Sequence, residues 1–497
     1  MADELTMRNP ESILPYGPSW PQLLDKVRKG LMVWTHSAKV RPGDVFVALP
    51  GSRSDGGAFV PEALGRGAGY VVARSSAGWP AGAAATLIVH PDPRLALGEL
   101  ARAYFKTDRL PFKLVGVTGT NGKTTISYLV EHLLASNGQR VGVVGTVSYR
   151  WPSVVLEAQM TTPDCWKLHE LLANMARSQV DVAVMETSSH ALDQNRVAGL
   201  AFDVGVMTNL TQDHLDYHRS MEDYFRAKAK LFSDFAAGGM TSILNYEDPA
   251  CARLLEVAPN PVGYGIGAPP PGRYTRMRGT IHRLSAAGLE LSVTYNGGMQ
   301  WTLASALIGR HNALNLLAAQ AVGLALGLSP KDLRHLAAFP GVPGRLERVA
   351  NARGLNVFVD FAHTPDALIN VLSAVKPLTQ GRLFVVFGCG GDRDRGKRPL
   401  MAAAVARFAD VAVLTSDNPR HEEPNAIMAD ARPGLAGCPR IVEEPDRRQA
   451  IALALSELKP LDVLVVAGKG HETYQQIGDE KRPFSDSAVI REILGCA

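Results

Sequence analysis

Paired cysteines are missing from this chain of 497 residues. Its five cysteines, Cys165, Cys251, Cys389, Cys438 and Cys496, stand alone with no Cys-x-x-Cys spacing. That excludes a disulfide framework and a zinc ribbon, and it fits a reducing cytoplasm. No run of 18 apolar residues occurs, and Met1 to Pro10 carries acidic residues rather than an apolar leader, so neither a membrane span nor export is expected. An excess of one charge is lacking too: 52 Lys and Arg stand against 48 Asp and Glu, for a formal net charge of +4. Without a basic stripe interleaved with aromatics, nucleic acid is not an expected partner, whereas small anionic ligands are. The 46% of hydrophobic residues suffices for sizeable cores, and the length suggests three domains.

A missing glycine is more specific. Thr118-Gly119-Thr120-Asn121-Gly122-Lys123-Thr124-Thr125 follows a short β-prone run, Phe112 to Val117, and precedes Ile126, Leu129, Val130, Leu133 and Leu134 at helical spacing. In a strand, glycine loop and helix of this kind, backbone N–H groups close around a polyphosphate and the helix N-terminus adds partial positive charge. Lys123 adds a full charge, and the Thr124 hydroxyl can ligate Mg²⁺. The common phosphate loop has glycine five positions before Gly122, where this chain has Val117. The cradle is therefore shorter than that of GTPases and motors.

The chain reads as α/β throughout. Residues 1–109 alternate short β runs (Val45 to Leu49, Tyr70 to Val72, Ala85 to Val89) with Gly and Pro, suggesting a small N-terminal α/β domain. Residues 110–340 alternate strand and helix as in a parallel P-loop ATPase-like sheet. Glu186 ends the strand-like run 181–185, where an acidic Mg²⁺ partner is expected, because parallel sheets bind ligands beyond the carboxyl ends of their strands. The Asp213-His214-Leu215-Asp216-Tyr217-His218 run suits either metal ligation or a helix cap. Lys228, on its own, reads as a surface lysine. Leu289 to Tyr295 and Met299 to Leu303 flank Asn296-Gly297-Gly298 as a hairpin. A Pro/Gly hinge near Pro340 precedes a Rossmann-like domain, 341–497. In that domain four polar loops follow four probable parallel strands, so they should converge along one sheet edge. Gly388 to Gly391 lacks the G-x-G-x-x-G pattern, so a dinucleotide is not expected.

Taken together, the short phosphate loop, Met185-Glu-Thr-Ser-Ser-His190, Asp213 to His218, Gly309-Arg-His-Asn-Ala-Leu-Asn315 and Asp417-Asn-Pro-Arg420 resemble the Mur ligases, the ATP-dependent amide-forming enzymes of bacterial peptidoglycan synthesis. The resemblance covers nearly the whole chain and is nearest to the members that add meso-2,6-diaminopimelate to UDP-N-acetylmuramoyl-L-alanyl-D-glutamate. It implies a monomeric cytoplasmic enzyme whose first domain holds the UDP end of the precursor through Thr35, Ser37, Ser52, Arg53 and Ser54. Thr161, Thr162, Ser188, Gln194 and Arg196 would hold the precursor's reacting end. ATP would lie on Gly119 to Thr125, Asn312, Arg345 and Asp360. Mg²⁺ would lie on Thr124, Glu186, His214 and a carbamylated Lys228; Lys123, Lys228, Glu186 and His214 form the implied catalytic group. Diaminopimelate would meet Arg393, Asp417, Asn418, Pro419, Arg420, Gly468 and Glu472. Two departures stand out: the family's Asp-Ser-Arg is His36-Ser37-Ala38 here, and its Tyr is Phe361.

The implied chemistry is attack of the D-glutamate γ-carboxylate on the ATP γ-phosphate, then displacement of phosphate from the acyl phosphate by the incoming amine. Arg420 is expected to grip the distal carboxylate that distinguishes diaminopimelate from lysine. The competing readings are a lysine-adding or folylpolyglutamate synthetase-like ligase and, from another class, a nucleotide-dependent switch or transport ATPase.

Overall fold

The computed structural model of the chain describes residues 19–51, 55–214 and 217–495. Ser52, Arg53 and Ser54, assigned above to the precursor, therefore lie outside the described residues. Two compact units emerge: 1–278 with 318–333, and 279–317 with 334–497.

The first unit begins with four parallel strands in sequential order, Val33–Trp34, Val45–Val47, Tyr70–Ala73 and Thr86–Val89. Helices Ser19–Arg28 and Pro93–Phe105 bury Trp20, Leu23, Leu97 and Leu100 with Val33, Val45 and Val72 of that sheet. The unit's larger sheet runs Pro261–Gly265, Ala236–Asn245, Phe202–Met207, Lys113–Thr118, Val182–Glu186, Val141–Val144, all parallel. An antiparallel hairpin, Ser148–Trp151 with Val154–Glu157, extends the last of these strands. Strands of this sheet are near-continuous apolar runs because helices cover them: Lys123–Ser136 buries Ile126, Leu129, Val130, Leu133 and Leu134, the residues whose spacing predicts it.

Between the N-terminal strands and the larger sheet lies a buried histidine. Thr107 Oγ1 donates to His169 Nδ1, and His169 Nε2–H donates to the Ala198 carbonyl at 2.9 Å. Burial pushes the imidazole down to about 4. Between that value and the ordinary 6.5 the unfolded chain binds a proton that the folded chain refuses, so stability falls as pH falls through this window, by up to about 3 kcal/mol. Urea melts from pH 7 to 4 should show this acid sensitivity in the parent chain and a shallower pH slope in His169→Asn.

The second unit contains the hairpin Gly288–Tyr295 with Met299–Ser305. Its main sheet has the order Glu347–Arg348, Asn356–Asp360, Val463–Ala467, Leu383–Cys389, Val411–Ser416, Ile441–Glu443; all pairs are parallel except the first. The four loops expected to share one edge do so, following Asp360, Cys389, Ser416 and Ala467. Their strands are buried on both faces, between apolar clusters that include Leu372, Val385 and Val465 on one side and Val357, Val386 and Ile451 on the other. Among the described residues no helix is long and apolar enough to cross a membrane.

Candidate active site

In the first unit, the loop 119–122 leaves its strand at the sheet edge shared with the ends of Phe202–Met207, Val182–Glu186 and Val141–Val144. Gly119, with φ +135°, is required there: a Cβ would come within 1.8 Å of Thr208 Oγ1. The loop is fastened to the neighbouring strand end by Thr120 N–H to Asn209 O (2.9 Å), Asn121 N–H to Asn209 Oδ1 (3.0 Å) and Thr208 Oγ1 to Asn121 O (2.6 Å). Lys123 Nζ donates to the carbonyls of Gly119 and Thr120, both at 2.9 Å. Lys228, only 1% exposed on the helix Met221–Ala229, also donates to Gly119 O at 2.9 Å. Two amines thus meet one carbonyl. Burial first, and then the Lys123 charge, hold Lys228 well below the usual lysine range, with Asp213 opposing. A neutral amine is the form that adds CO₂.

Glu186 is 1% exposed. Its Oε2 accepts Thr124 Oγ1 and Thr146 Oγ1, each at 2.9 Å, and its Oε1 accepts Thr146 N–H at 3.0 Å. His214 takes φ +53° and lies half-exposed, its Nε2 3.5 Å from Asp213 Oδ2 and its ring edge-on to His190 and to Tyr224. Tyr224 also carries Lys228 Nζ, 4.5 Å from its ring centre. Of the four implied metal ligands, Thr124 and Glu186 are joined directly, whereas Lys228 and His214 are linked through shared neighbours, the Tyr224 ring and Asp213. Among the described residues no group of three or more His, Cys, Asp or Glu side chains is arranged to hold a metal. A carboxylate has about four acceptor positions, and three at Glu186 are used by neutral donors. The oxygen-rich pair Glu186 and Thr124 therefore fits a hard cation such as Mg²⁺.

The residues assigned to the precursor's reacting end form one network beside Glu186. Thr161 Oγ1 meets Thr146 Oγ1 at 3.1 Å; Thr162 Oγ1 donates to Glu186 O (2.7 Å) and accepts Ser188 N–H (3.0 Å). Ser188 caps Ser189–Asp193, and Arg196 donates to Gln194 Oε1 (2.8 Å) and Thr162 O (3.1 Å). In the N-terminal part, Ser37 Oγ donates to Glu62 at 2.7 Å, while Thr35 follows the strand Val33–Trp34.

The second unit holds Asn312, Arg345 and Asp360. Asn312 is buried, donating to Ile308 O and accepting from Asn315. Asp360 accepts Leu346 N–H (2.7 Å) and Ala362 N–H (2.8 Å), and burial raises its carboxyl pKa against the pull of Arg345. Arg345 lies over the Phe361 ring at 5.2 Å, so the residue that departs from the family pattern serves as a platform for a guanidinium.

Arg420 and Asp417 flank the loop after Val411–Ser416. Arg420 takes the left-handed conformation, φ +51°, and the hairpin Tyr474–Ile477 with Glu480–Pro483 pins it: Arg420 N–H donates to Gln476 O and its carbonyl accepts Gly478 N–H. Its Nη1 donates to Gly391 O at 2.6 Å. Among the described residues Asp417 Oδ2 is buried with no hydrogen-bond partner, an acceptor ready for an ammonium. Gly468, at φ +117°, makes room for it, since a Cβ would stand 2.7 Å from that oxygen. Gly468→Ala should raise the amino-acid KM by about tenfold or more and leave the ATP KM unchanged, measured by steady-state kinetics. Glu472 accepts Asn418 Nδ2 (3.0 Å) and Lys469 Nζ (2.9 Å); burial opposes its charge, but these bonds hold the carboxyl below its usual range. Arg393 is exposed and Pro419 buried in the same loop cluster.

Several residues here are absent from the sequence reading. Thr146 supplies two of the three bonds to Glu186. Lys469, fully buried, ties Asn418 to Glu472. Arg447 pairs with Asp486, both fully buried, and donates to Ser416 O and Ala467 O, cross-linking the ends of the two strands from which the Asp417 and Gly468 loops depart. Arg398 bonds Glu422, held down at about 2, and Asp430. Only Lys469 carried a signal, the Gly468-Lys-Gly470 turn.

Three family models match the chain: "Mur ligase family, catalytic domain" over 32–105, "Mur ligase middle domain" over 117–323 and "Mur ligase, glutamate ligase domain" over 344–470. A UDP-N-acetylmuramoyl-L-alanyl-D-glutamate–2,6-diaminopimelate ligase of Lawsonia intracellularis is 50% identical, with 94% of this chain and 97% of that protein covered. The protein of the same name from Thermosynechococcus vestitus is 44% identical over 92% of each. A solved structure under this name superposes with a TM-score of 0.68 at 34% identity, covering 93% of this chain and 94% of the other. The chain belongs to the Mur ligase family of ATP-dependent, amide-bond-forming enzymes.

Proposed function

We propose that the chain joins meso-2,6-diaminopimelate to the D-glutamate γ-carboxylate of UDP-N-acetylmuramoyl-L-alanyl-D-glutamate at the expense of ATP, acting as a cytoplasmic monomer. Residues 1–109 hold the UDP end, 110–340 the ATP and 341–497 the amino acid. The observation that carries the choice of amine is the loop Asp417–Arg420. It offers a guanidinium beside the Gly391 carbonyl and, three residues earlier, the unpartnered Asp417 carboxylate oxygen. An amino acid with a carboxylate at one end and an ammonium at the other matches that pair of charges.

Lys123 and the N-terminus of the helix it opens, Lys123–Ser136, neutralise the ATP phosphates and orient the γ-phosphorus. The γ-carboxylate oxygen attacks it and ADP leaves. Thr161, Thr162, Ser188, Gln194 and Arg196 hold the carboxylate end against that loop. The amine nitrogen, steered by Asp417, Asn418 and Glu472, then attacks the acyl carbon; phosphate leaves and the nitrogen sheds a proton. Mg²⁺, when bound, supplies charge neutralisation on the phosphates. Thr124 and Glu186 would hold it, with His214 and a carbamylated Lys228 as the further ligands that the family resemblance implies.

Phosphate release tests the reading. Release should require ATP, precursor and diaminopimelate together, and lysine should substitute poorly. Brisk release with ATP alone would contradict a ligase, and equal rates with lysine would contradict the choice of amine.

A further inference from the structure

Among the described residues, two arginines of the first unit stand at one seam with only neutral hydrogen-bond partners. Arg94, in the first turn of Pro93–Phe105, donates through Nη2 to Pro50 O at 2.7 Å, and Pro50 is bridged to Asp55. Arg196 donates to Gln194 Oε1 (3.0 and 2.8 Å), Thr162 O (3.1 Å) and Met160 Sδ (3.4 Å). The residues beside them fasten the seam: Asn195 Nδ2 donates to Asp92 Oδ2 at 2.8 Å. Nearby acids are engaged elsewhere. Asp92 Oδ1 caps the helix through Arg94 N–H (3.0 Å), and Asp164 Oδ1 caps Cys165–Arg177 through Lys167 N–H (2.9 Å). Burial lowers Arg196 below the usual guanidinium range; Asp164 and Tyr217 oppose this and the Arg94 charge adds to it. That charge reaches Tyr217 as well, whose hydroxyl accepts Gln194 Nε2 at 3.2 Å.

Like charges facing one seam repel, and the cost grows as water is excluded. An anion placed between them turns that repulsion into charge-assisted hydrogen bonds. We propose that Arg94 is a further precursor-binding residue, which joins the already assigned Arg196 in clamping an anionic group of the nucleotide precursor and reaches it from the helix that follows the N-terminal strands. The inference rests on the proposed substrate. Arg94 lies outside the contacts implied by the family resemblance, two residues from Asp92, whose bond to Asn195 joins the N-terminal part of the chain to the turn that carries Gln194 and Arg196. The anion is either the diphosphate or a carboxylate of the peptide end.

The test is calorimetric titration of UDP-N-acetylmuramoyl-L-alanyl-D-glutamate into the full chain without ATP, using the parent, Arg94→Gln and Arg94→Lys. Both replacements keep a donor for Pro50 O, so they differ chiefly in charge. Gln should weaken binding about tenfold or more, with a flatter dependence on salt, and Lys should retain most of the affinity. UDP alone separates the two sources. An equal loss for UDP identifies the diphosphate, whereas unchanged UDP binding with a weakened precursor identifies a carboxylate. Parent binding that Gln and Lys leave within about twofold overturns this inference alone. No precursor binding by the parent overturns the proposed function and this inference with it.

Discussion

Lys228→Ala is expected to lower amide formation by roughly 10²- to 10³-fold, the scale of removing one preorganised charged group from a phosphoryl-transfer site, and short carboxylic acids should restore part of the loss. The expectation follows from burial. Lys228 is enclosed at the foot of the phosphate loop, bonded to Gly119 O and repelled by Lys123. An ammonium there opposes a bound cation, whereas the neutral amine, attacking CO₂ and losing a proton, becomes a carbamate whose oxygens attract both Lys123 and Mg²⁺. The cavity left by alanine admits formate or acetate, which returns the carboxylate without the tether. Rates with and without added acid decide the matter. Full activity in the variant, or loss without rescue at any acid concentration, would sink the carbamate.

Arg420→Ala should cut kcat/KM for diaminopimelate by roughly 10² to 10³, because one or two charged hydrogen bonds are lost at about 1.5 to 3 kcal/mol each. Its kcat/KM for lysine should change far less, so the preference between the two amines collapses. Arg420→Lys keeps the charge but not the planar fork and should recover only part. The conformation of Arg420 matters as well: its left-handed backbone is paired to Gln476 and Gly478, so the guanidinium is aimed before substrate arrives. Kinetics with both amino acids across the three proteins test this. An alanine variant that still prefers diaminopimelate by the parent's factor would move the specificity elsewhere.

The strands and the phosphate loop were legible in the sequence because their signals are local. Val115 and Val117 precede a glycine turn, and Ile126 to Leu134 repeat at helical period, so backbone and core follow from spacing alone. Placement of four loops on one edge of the second sheet was legible for the same reason: apolar strands that alternate with helices are parallel. What no local pattern conveys is approach from a distance. Thr146 is an ordinary threonine until the strand Val141–Val144 that precedes it lies beside that of Glu186, and Arg447 an ordinary helix arginine until it spans the ends of two strands. Lys228 belongs to the same class: its helix reads as amphipathic with an exposed lysine, and only the family pattern singled it out. Arg94 carried no signal at all. Its meaning depends on the turn 195–199 packing against a helix about a hundred residues earlier.

The central claim is that the chain makes an amide by first activating the substrate's own carboxylate as an acyl phosphate. The most direct measurement labels the D-glutamate γ-carboxylate of UDP-N-acetylmuramoyl-L-alanyl-D-glutamate with oxygen-18 and reads the isotope in the phosphate released during turnover with ATP and diaminopimelate. Transfer of a labelled oxygen to phosphate, matched to the amide formed, is the predicted result. Unlabelled phosphate released alongside amide product would contradict it.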